Sequence, residues 1–549
     1  MERECKLIFR DDTLAPSIFE ILSTSPAIGG YSNRGKRAWG TEDVYFDTSD
    51  LSLERLQCGC RVRTIGGDKI LELKKRTEDV GYKACYERKQ FPIDASVHKQ
   101  IPFIREKLRS FVPPDLRDKE IGAVLRVQTR RTEVSWGADF STSEFLMHLD
   151  EVQYFLPHTS EVIGTHFEVE LKEDPEGVHV DVFREILCNL FGLIPIRRSK
   201  LARCSRLLKH IRERAVGSPQ KVILDMDPGV DDALAILLAM NSPEMEVLAI
   251  TTVAGNIDAK CSSRNARIVL DFIRDNAPDH SMPIVACGGT PETRGQDASD
   301  VHGPDGLGGI SSAWGEPRTP LSKNRAVEVI KDLLAQHLKD ITLIATGPLT
   351  NIAECIQRHP EAMRQVKELV VMGGVFFESG NRTQAAEFNI HADPKAAKIV
   401  LDFCRGSGSE EVIPLTFVGL DVTHQVRLRR EWVRALADKG HPVGQFVEKF
   451  AACYMDFYRR NEGLNGCYLH DPLAVGCVID PTFCEMEHYH VEVETKGEHT
   501  CGMTVADYRP TQIFREKGKE ITGVCVKVDS RRFERMFMER VFGRDGALI

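Results

Sequence analysis

The 549-residue sequence lacks the features of a membrane-spanning or secreted protein. It contains no apolar run long enough to cross a bilayer. Its first residues, MERECKLIFRDD, are charged from the second position, where a signal peptide would need an apolar stretch. We therefore expect a cytoplasmic protein without a membrane-embedded part.

The sequence has no excess of positive charge. Lys and Arg together number 72 against 81 Asp and Glu, so the formal net charge is −9 at pH 7. This balance gives no support to binding of nucleic acid or an anionic membrane by the chain as a whole, and we expect neither partner. A local basic pocket is compatible with it.

Paired cysteine spacing, internal repeats and low-complexity tracts are also missing. The 16 cysteines are scattered, unlike those of zinc sites, and the chain is far larger than the domains that disulfides hold together. We expect most of these thiols to be reduced, buried and chemically idle. Because 549 residues are too many for one hydrophobic core, the absence of repeats predicts two unlike domains.

The hydrophobic pattern changes near residue 220. Up to about Leu208, short apolar runs alternate with charge, as in THFEVELKED, which predicts strands with one polar face. After Lys221, runs such as ITLIATGP are nearly continuous and predict an α/β domain with a mostly parallel sheet, whose strands are buried on both faces. Gly217, Ser218 and Pro219 mark the boundary. We predict domains at 1–210 and 220–549, joined by a linker at 211–219.

Residues 222–240, VILDMDPGVDDALAILLAM, predict a strand, a tight turn and a helix. Four aspartates crowd this turn: Asp225, Asp227, Asp231 and Asp232. Aspartates can cap the first N–H groups of a helix, but capping accounts for one or two of them, not four. Carboxylate ligands suit a hard cation such as Ca²⁺ or Mg²⁺, and the ligand number is closer to what Ca²⁺ takes. The alternative is a solvated acidic turn.

Further polar residues follow the other predicted strands or stand in two histidine-containing segments, VHGPDGLGG and CYLHDPLAV. Ligands of an open α/β sheet bind outside the carboxyl ends of its strands. Each residue by itself is equally compatible with a cap or a turn, and only their shared location favours a site. These candidates are Asn256, His302, Thr346, Asn381, Glu387, Asn389, His470 and Asp471.

From Lys221 onward the sequence resembles the nucleoside hydrolase family of the inosine-uridine-preferring type. The resemblance rests on separated motifs in the family's order: LDMDPGVDDALAI, TTVAGN, HGPDGLGG, TGPLTNIA, an Asn, Glu and Asn at 381, 387 and 389, and LHDPLAV. It implies a Rossmann-like α/β fold and an enzyme that hydrolyses the N-glycosidic bond of ribonucleosides to ribose and a free base.

The resemblance also implies residue roles. Asp227, Asp232, the backbone carbonyl of Thr346 and Asp471 match the Ca²⁺ ligands of the family, all of them hard oxygens. Asp227 matches the base that takes a proton from the attacking water, and His470 matches the acid that protonates the departing base. The matching ribose-binding residues are Asp231, Asn256, Asn381, Glu387 and Asn389. His302 and Tyr458 are candidate base contacts, although Tyr458 is equally compatible with packing on a helix face. A non-catalytic ribose binder is the alternative function.

The N-terminal part carries charged residues at alternate positions of its predicted strands, which places them on one face. Ordinary exposed sheets also carry mixed charge. A closed barrel lined by both signs, however, can hold a divalent cation with its acids and neutralise a polyphosphate with its bases. The segments with this alternation include ERECK, CRVRT, LELKK, FEVELK and RSKLAR.

These segments, together with YFDT at 45–48, resemble the CYTH domain, or triphosphate tunnel metalloenzyme, over about the first 205 residues. The resemblance implies an α+β antiparallel β-tunnel that hydrolyses a triphosphate. It assigns Mg²⁺ or Mn²⁺ to Glu2, Glu4, Glu168 and Glu170, and phosphate to Lys6, Arg61, Arg63, Lys74, Arg131 and Lys200. A polyphosphate-sensing regulatory module and an adenylate cyclase are the alternatives.

The sequence therefore predicts a bifunctional hydrolase that acts on ribonucleosides and on an inorganic or organic triphosphate. The motifs do not indicate which base the nucleoside substrate carries or which triphosphate is hydrolysed. By resemblance to the hydrolase family we also expect self-association.

Overall fold

The computed structural model describes residues 2–9, 14–48, 58–66, 68–80, 83–93, 104, 106–108, 121–138, 144–155, 162–172, 178–191, 193–196, 219–277, 280–291, 297–406, 412–508 and 522–546. These residues form two compact units, one within Met1–Arg212 and one within Glu213–Tyr508 and Lys517–Ile549. Residues 211–218 of the predicted linker lie outside the described residues. No described helix combines the length and the apolar character that crossing a bilayer requires.

The described strands of the first unit form one antiparallel sheet of ten strands. The path runs β1-β6-β5-β4-β3-β7-β8-β9, and β1 pairs with β9 as well as with β6, so the sheet closes on itself. The strands are β1 (Glu2–Ile8), β2 (Ala27–Ile28), β3 (Tyr31–Thr48), β4 (Cys58–Ile65), β5 (Asp68–Val80), β6 (Lys83–Ile93), β7 (Ile121–Ala138), β8 (Glu144–Phe155), β9 (Val162–Lys172) and β10 (Ile194–Ile196).

Two helices cover one outer face of this closed sheet. They are α1 (Ala15–Thr24) and α2 (Val178–Phe191). Ile18 of α1 and Phe183 of α2 join a buried apolar cluster with Trp136 and Val169 of the sheet. Glu168, next to Val169 in β9, is 0% exposed as well. Because neighbouring strand residues point to opposite faces, the charged residue faces the enclosed interior of the sheet.

The second unit is built on an eight-stranded mixed sheet in the order β13-β12-β11-β14-β15-β16-β22-β19. Every neighbouring pair is parallel except β19 with β22, which is antiparallel, so the predicted parallel arrangement has one antiparallel edge. The strands of this unit are β11 (Gln220–Met226), β12 (Met245–Thr252), β13 (Ile284–Cys287), β14 (Ile341–Ala345), β15 (Glu368–Met372), β16 (Leu415–Val418), β17 (Arg427–Arg429), β18 (Gly466–Tyr468), β19 (Cys484–Tyr489), β20 (Val491–Val493), β21 (Thr504–Ala506) and β22 (Thr522–Val528).

Helices connect and cover these strands. They are α3 (Val230–Met240), α4 (Ala259–Asn276), α5 (Ser299–His302), α6 (Ala326–Gln336), α7 (Thr350–Arg358), α8 (Pro360–Met363), α9 (Phe388–Ala392), α10 (Pro394–Arg405), α11 (Leu420–Thr423), α12 (Arg430–Asp438), α13 (Pro442–Glu462), α14 (His470–Ile479) and α15 (Ser530–Gly546, kinked at Gly543), with a 3₁₀ turn at Ser312–Trp314. β14 is buried throughout, as its continuous apolar sequence predicts, and residues 230–239 of α3 are buried as well, including Asp231 and Asp232.

Candidate functional site

The acidic turn lies where β11 ends and α3 begins. Asp227, Asp231, Asp232 and Asp471 are between 0% and 6% exposed. Carboxylate oxygens of Asp231, Asp232 and Asp471 all lie within 4.8 Å of one another. Gly229 donates its backbone N–H to Asp232 Oδ2 at 2.9 Å, so helix capping occupies one oxygen of the cluster. The cluster is a buried group of acids, and the solvated acidic turn is thereby excluded.

The charge of this cluster is not compensated by any described residue. In the part of the chain that the structure describes, none of its four carboxylates forms an ion pair with Lys or Arg. Burial raises the pKa of Asp232 to about 7 and that of Asp231 to about 6, and it raises the pKa of Asp227 and Asp471 well above the ordinary range. Asp227 Oδ1 and Asp231 Oδ1 are buried and have no hydrogen-bond partner among the residues that the structure describes. Oxygen ligands with unmet demand for positive charge fit a hard divalent cation.

Asn256, which follows β12, is joined to two of these aspartates. Its backbone N–H donates to Asp227 Oδ2 at 2.6 Å, and its side-chain amide donates to Asp232 Oδ2 at 3.3 Å. The same amide lies 3.2 Å from the carbonyl oxygen of Asp227. Asn256 therefore fixes the orientation of both carboxylates and leaves Asp227 Oδ1 available.

Thr346, at the end of β14, is held at both of its oxygens. Its hydroxyl donates to Asp232 Oδ1 at 2.8 Å, and its carbonyl accepts the side-chain amide of Asn389 at 2.7 Å. A carbonyl oxygen has two lone pairs, so the Asn389 contact leaves one for a cation. The structure thus joins Thr346 and Asn389 to the acidic turn.

The other two residues of the 381–389 motif have backbone partners. Glu387 caps α9 by accepting the N–H groups of Asn389 at 2.8 Å and Ile390 at 3.1 Å, and it accepts the Gly374 N–H at 3.0 Å. Asn381 is exposed and accepts the N–H of Phe388 at 2.9 Å. Glu387 therefore orders the loop around Asn389, and the described contacts of Asn381 are within its own loop.

A chain of hydrogen bonds leads from Asp231 to α14. Tyr454 donates its hydroxyl to Asp231 Oδ2 at 3.2 Å, and its oxygen lies 3.5 Å from the hydroxyl oxygen of Tyr458. Tyr458 in turn lies 3.2 Å from His470 Nε2, and His470 Nδ1 lies 2.8 Å from Thr423 Oγ1. The carboxylate cluster and His470 therefore belong to one continuous polar network.

His302 contacts the same network. Its Nδ1 accepts the backbone N–H of Val230 at 3.1 Å, which places the ring proton on Nε2. The ring stacks on Tyr454 with centroids 4.8 Å apart. Burial lowers the pKa of His302 to about 3 and that of His470 well below its ordinary value, so both imidazoles are neutral.

Two members of this network were not predicted from the sequence. Tyr454 lies four residues before Tyr458 in α13, a spacing that places both on one helix face. Thr423 is buried in α11, in the segment DVTHQV. The i, i+4 tyrosine pair was a usable signal, whereas nothing in the sequence indicates that Thr423 contacts His470.

The first unit has an interior of paired charges. Arg131 binds Asp150 through Nε and Oδ1 at 2.6 Å and Glu170 through Nη2 and Oε2 at 2.8 Å. Lys6 Nζ lies 3.6 Å from Glu168 Oε1 and 3.9 Å from Glu170 Oε1. The structure thus brings together four of the predicted ligands and adds Asp150.

A second group of charges lies on β3, β4 and β5. Arg63 binds Asp43 through two nitrogens at 2.8 and 2.9 Å, and Arg61 binds both Asp43 and Glu72. Burial would raise the pKa of Glu72, but the charge of Arg61 and its neighbours lowers it to about 2. The predicted Lys74 is half-buried in β5. Glu2 and Glu4 lie in β1, but their side chains are outside the described part of the structure. Lys200 lies wholly outside the described residues.

Family models match both parts of the chain. Residues 29–205 match the CYTH domain, and residues 222–535 match the inosine-uridine preferring nucleoside hydrolase. The chain is thus a fusion of the two.

Known relatives agree with the second match. An inosine-uridine preferring nucleoside hydrolase of Leishmania major is 40% identical over 317 residues, which are 57% of this chain and 95% of the relative. The pyrimidine-specific ribonucleoside hydrolase RihA of Salmonella gallinarum is 36% identical over 322 residues, 58% of this chain and 97% of the relative.

Solved structures agree as well. A purine-preferring ribonucleoside hydrolase from Gardnerella vaginalis has a TM-score of 0.52 at 32% identity and covers 60% of this chain and 100% of its own. A plant nucleoside hydrolase has a TM-score of 0.53 at 29% identity, with coverage of 59% and 99%. With more than half of its length matched to one family model, the chain belongs to the inosine-uridine preferring nucleoside hydrolase family.

Proposed function

We propose that the second unit hydrolyses the N-glycosidic bond of ribonucleosides in a Ca²⁺-dependent reaction. The observation that carries this proposal is the buried carboxylate cluster, which has no Lys or Arg counterion among the described residues and is connected through two tyrosines to a neutral histidine. The carboxylate cluster can accept a proton, and the histidine at the other end of the network can donate one. Cleavage of a glycosidic bond by water requires both.

Asp227, Asp232, Asp471 and the Thr346 carbonyl would hold the Ca²⁺ ion, which supplies charge neutralisation and Lewis-acid activation. Asp227 Oδ1, which has no hydrogen-bond partner, accepts the proton of the water that attacks C1′ of the ribose. The protonated carboxyl is compatible with its surroundings because burial already raises the pKa of Asp227. Asp227 thus acts as the general base.

His470 acts on the opposite side of the bond. As a neutral imidazole it carries one ring proton, and the Tyr458 hydroxyl lies 3.2 Å from its Nε2. The pair supplies the proton that the departing base needs when it leaves as a neutral molecule, and the chain through Tyr454 to the carboxylates, which take up the proton of the attacking water, returns a proton to the pair. Thr423 at Nδ1 fixes the orientation of the ring.

Substrate contacts complete the proposal. Asp231, Asn256, Asn381, Glu387 and Asn389 form the proposed ribose set, and His302 and Tyr458 are the proposed base contacts. Buried polar groups that pair with sugar hydroxyls reject deoxy analogues strongly, because the analogue leaves them without partners. Ribonucleosides are therefore the expected substrates, and release of reducing sugar from uridine, inosine, cytidine and adenosine will rank the bases.

Removal of Ca²⁺ should abolish ribose release. Without a cation the four buried acids take up protons, because burial raises their pKa values, and Asp227 then has no basic oxygen to accept the proton of the attacking water. The measurement is reducing-sugar release before chelation, after chelation and after Ca²⁺ is restored, with unfolding temperature followed in parallel. Full activity in the chelated protein, with the metal content shown to be nil, would exclude the metal role.

Gly255→Ala should lower kcat for ribonucleosides by about 10²-fold, the order expected when a reacting group is misplaced by about 1 Å. A Cβ at Gly255 would overlap Asp227 Oδ2, so the carboxylate must move. The matched control is Gly289→Ala, whose Cβ would meet nothing closer than 3.5 Å and should leave kcat unchanged. Equal activity of the two variants would show that Asp227 tolerates displacement.

For the first unit we propose metal-dependent hydrolysis of a triphosphate. Its enclosed acids and bases are the support, since acids can hold Mg²⁺ or Mn²⁺ while Arg and Lys neutralise phosphate. Glu2, Glu4, Glu168 and Glu170 would hold the metal. The phosphate set would be Lys6, Arg61, Arg63, Lys74, Arg131 and Lys200.

Two neighbouring arginines offer a sharp test of this proposal. Arg131→Ala should reduce phosphate release from inorganic triphosphate by at least about tenfold, because its guanidinium is enclosed with Asp150 and Glu170. Arg130→Ala is the control, since that side chain is 81% exposed.

Triphosphate binding without phosphate release, together with a changed nucleosidase rate, would instead indicate that the first unit is a regulatory module. Conversion of ATP to cyclic AMP and pyrophosphate would indicate a cyclase.

The remaining proposals concern organisation. We place the functional domains at 1–210 and 220–549 with a linker at 211–219, and we propose a cytoplasmic protein that self-associates and takes small molecules as substrates.

A further inference from the structure

Three buried cysteines lie together in the second unit. Cys477 lies in α14, Cys484 begins β19 and Cys525 lies in β22. Their Sγ atoms are all within 4.8 Å of one another, and those of Cys477 and Cys484 are 3.4 Å apart. The residues are 6%, 5% and 1% exposed. Among the described residues, only the group of Asp231, Asp232 and Asp471 is as compact a set of potential metal ligands.

We propose that Cys477, Cys484 and Cys525 bind one Cu(I) ion through three sulfurs. Thiolates select soft ions such as Cu(I) and Zn²⁺ over the hard cations that carboxylates prefer. Structural zinc sites are almost always four-coordinate, and in the described part of the chain no fourth His, Cys, Asp or Glu joins this group. A three-sulfur set therefore suits Cu(I), which is stable with three ligands.

The three thiols are preorganised for such an ion. They come from three elements, and the packing of α14 against β19 and β22 holds their sulfurs together without a metal. Hydrogen bonds with Cys477 and Cys525, together with burial, raise the pKa of Cys484 well above its ordinary value, so this thiol keeps its proton until an ion displaces it. On binding, each new Cu–S bond replaces an S–H bond and its proton passes to solvent. Copper and sulfur keep their oxidation states.

Such a site would differ in chemistry from the acidic turn of the same unit. Hard cations prefer the carboxylates and soft ions prefer the sulfurs, so the two clusters take different metals. Both reach α14, which begins with His470 and Asp471 and contains Cys477. Because the sulfur site is no part of the proposed nucleosidase chemistry, the two proposals can fail independently.

The test is a Cu(I) titration of the full-length protein under anaerobic conditions against a chromophoric Cu(I) chelator, followed by X-ray absorption of the one-to-one complex. We expect one equivalent to be withheld from the chelator and three sulfur neighbours around copper. Cys484→Ser should weaken binding by at least about tenfold. Cys404→Ser is the matched control, because Cys404 is also a buried thiol, 4% exposed, and lies outside the group.

Several results would overturn the proposal. These are copper with two sulfur neighbours or with nitrogen and oxygen neighbours, unchanged affinity in Cys484→Ser, and a Cys477–Cys484 disulfide in peptide maps of the loaded protein. Unchanged affinity in that variant would mean that other thiols of the chain hold the ion. If Cys484→Ser does not fold, the X-ray absorption spectrum of the parent protein and the Cu(I) affinity of Cys525→Ser test the three-sulfur site instead.

Discussion

Replacing Asp227 by Asn should reduce kcat for ribonucleoside hydrolysis by roughly 10²–10⁴-fold, the range for loss of a general base. Asn keeps the size of the side chain but has no basic oxygen to take the proton of the attacking water. It also removes one negative charge from the cluster, so Ca²⁺ affinity should fall as well. The measurement is reducing-sugar release from uridine and inosine at saturating Ca²⁺, with bound metal quantified.

The control for this variant is Asp258→Asn. Asp258 caps α4 by accepting the N–H groups of Lys260 and Cys261, a role that Asn also fills. The Asp258→Asn variant should therefore retain the kcat and the unfolding temperature of the parent protein. If Asp227→Asn retained more than about a tenth of the parent rate with Ca²⁺ bound, another group would have to be the base.

Replacing His470 by Asn should reduce kcat for inosine by about 10²-fold or more, because the purine then leaves without a proton donor. A p-nitrophenyl riboside does not need one, since its phenolate is a stable anion. For that substrate the same variant should stay close to the parent rate. The measurement compares the two substrates in one variant, so a loss of folded protein cannot imitate the result.

Tyr458→Phe separates the two members of the proton-donating pair. It removes only the hydroxyl that lies 3.2 Å from His470 Nε2. If the hydroxyl helps to deliver the proton, this variant should show the same dependence on leaving group, to a smaller extent. For the His470→Asn variant, equal losses of rate on inosine and on the p-nitrophenyl riboside would mean that His470 has a structural role.

Much of the sheet of the second unit follows from its sequence. The run ITLIATGP was predicted to contain a buried strand, and the structure confirms its first five residues, ITLIA, as β14. Pro228 and Gly229 stop β11 and allow α3 to begin at once, so Asp227, Asp231 and Asp232 had to lie close together. Continuous apolar runs and turn residues are local sequence patterns, so strands and turns can be predicted from them without knowledge of the tertiary contacts.

The contacts between distant segments were not predictable in the same way. Asn389 meets the Thr346 carbonyl, and Tyr454 meets Asp231, because loops and helices far apart in sequence pack together. Periodicity places a side chain on a helix face but does not name its partner across the interface. For the same reason the sequence indicated charged strands in the first unit without indicating that Asp150 would hold Arg131.

The strand order of the second unit leaves its sheet incomplete until late in synthesis. β22 separates β16 from β19 in the sheet, yet it begins at Thr522, long after β16 ends at Val418. Among the described strands, β19 pairs only with β22, and one edge of the strand LTFV of β16 also pairs with β22, so both lack these partners until Val528 has been added. Open apolar edges are where unfinished chains aggregate. A chain that ends between Val418 and Thr522 therefore exposes this edge of β16, and we expect it to aggregate more readily than the full-length chain.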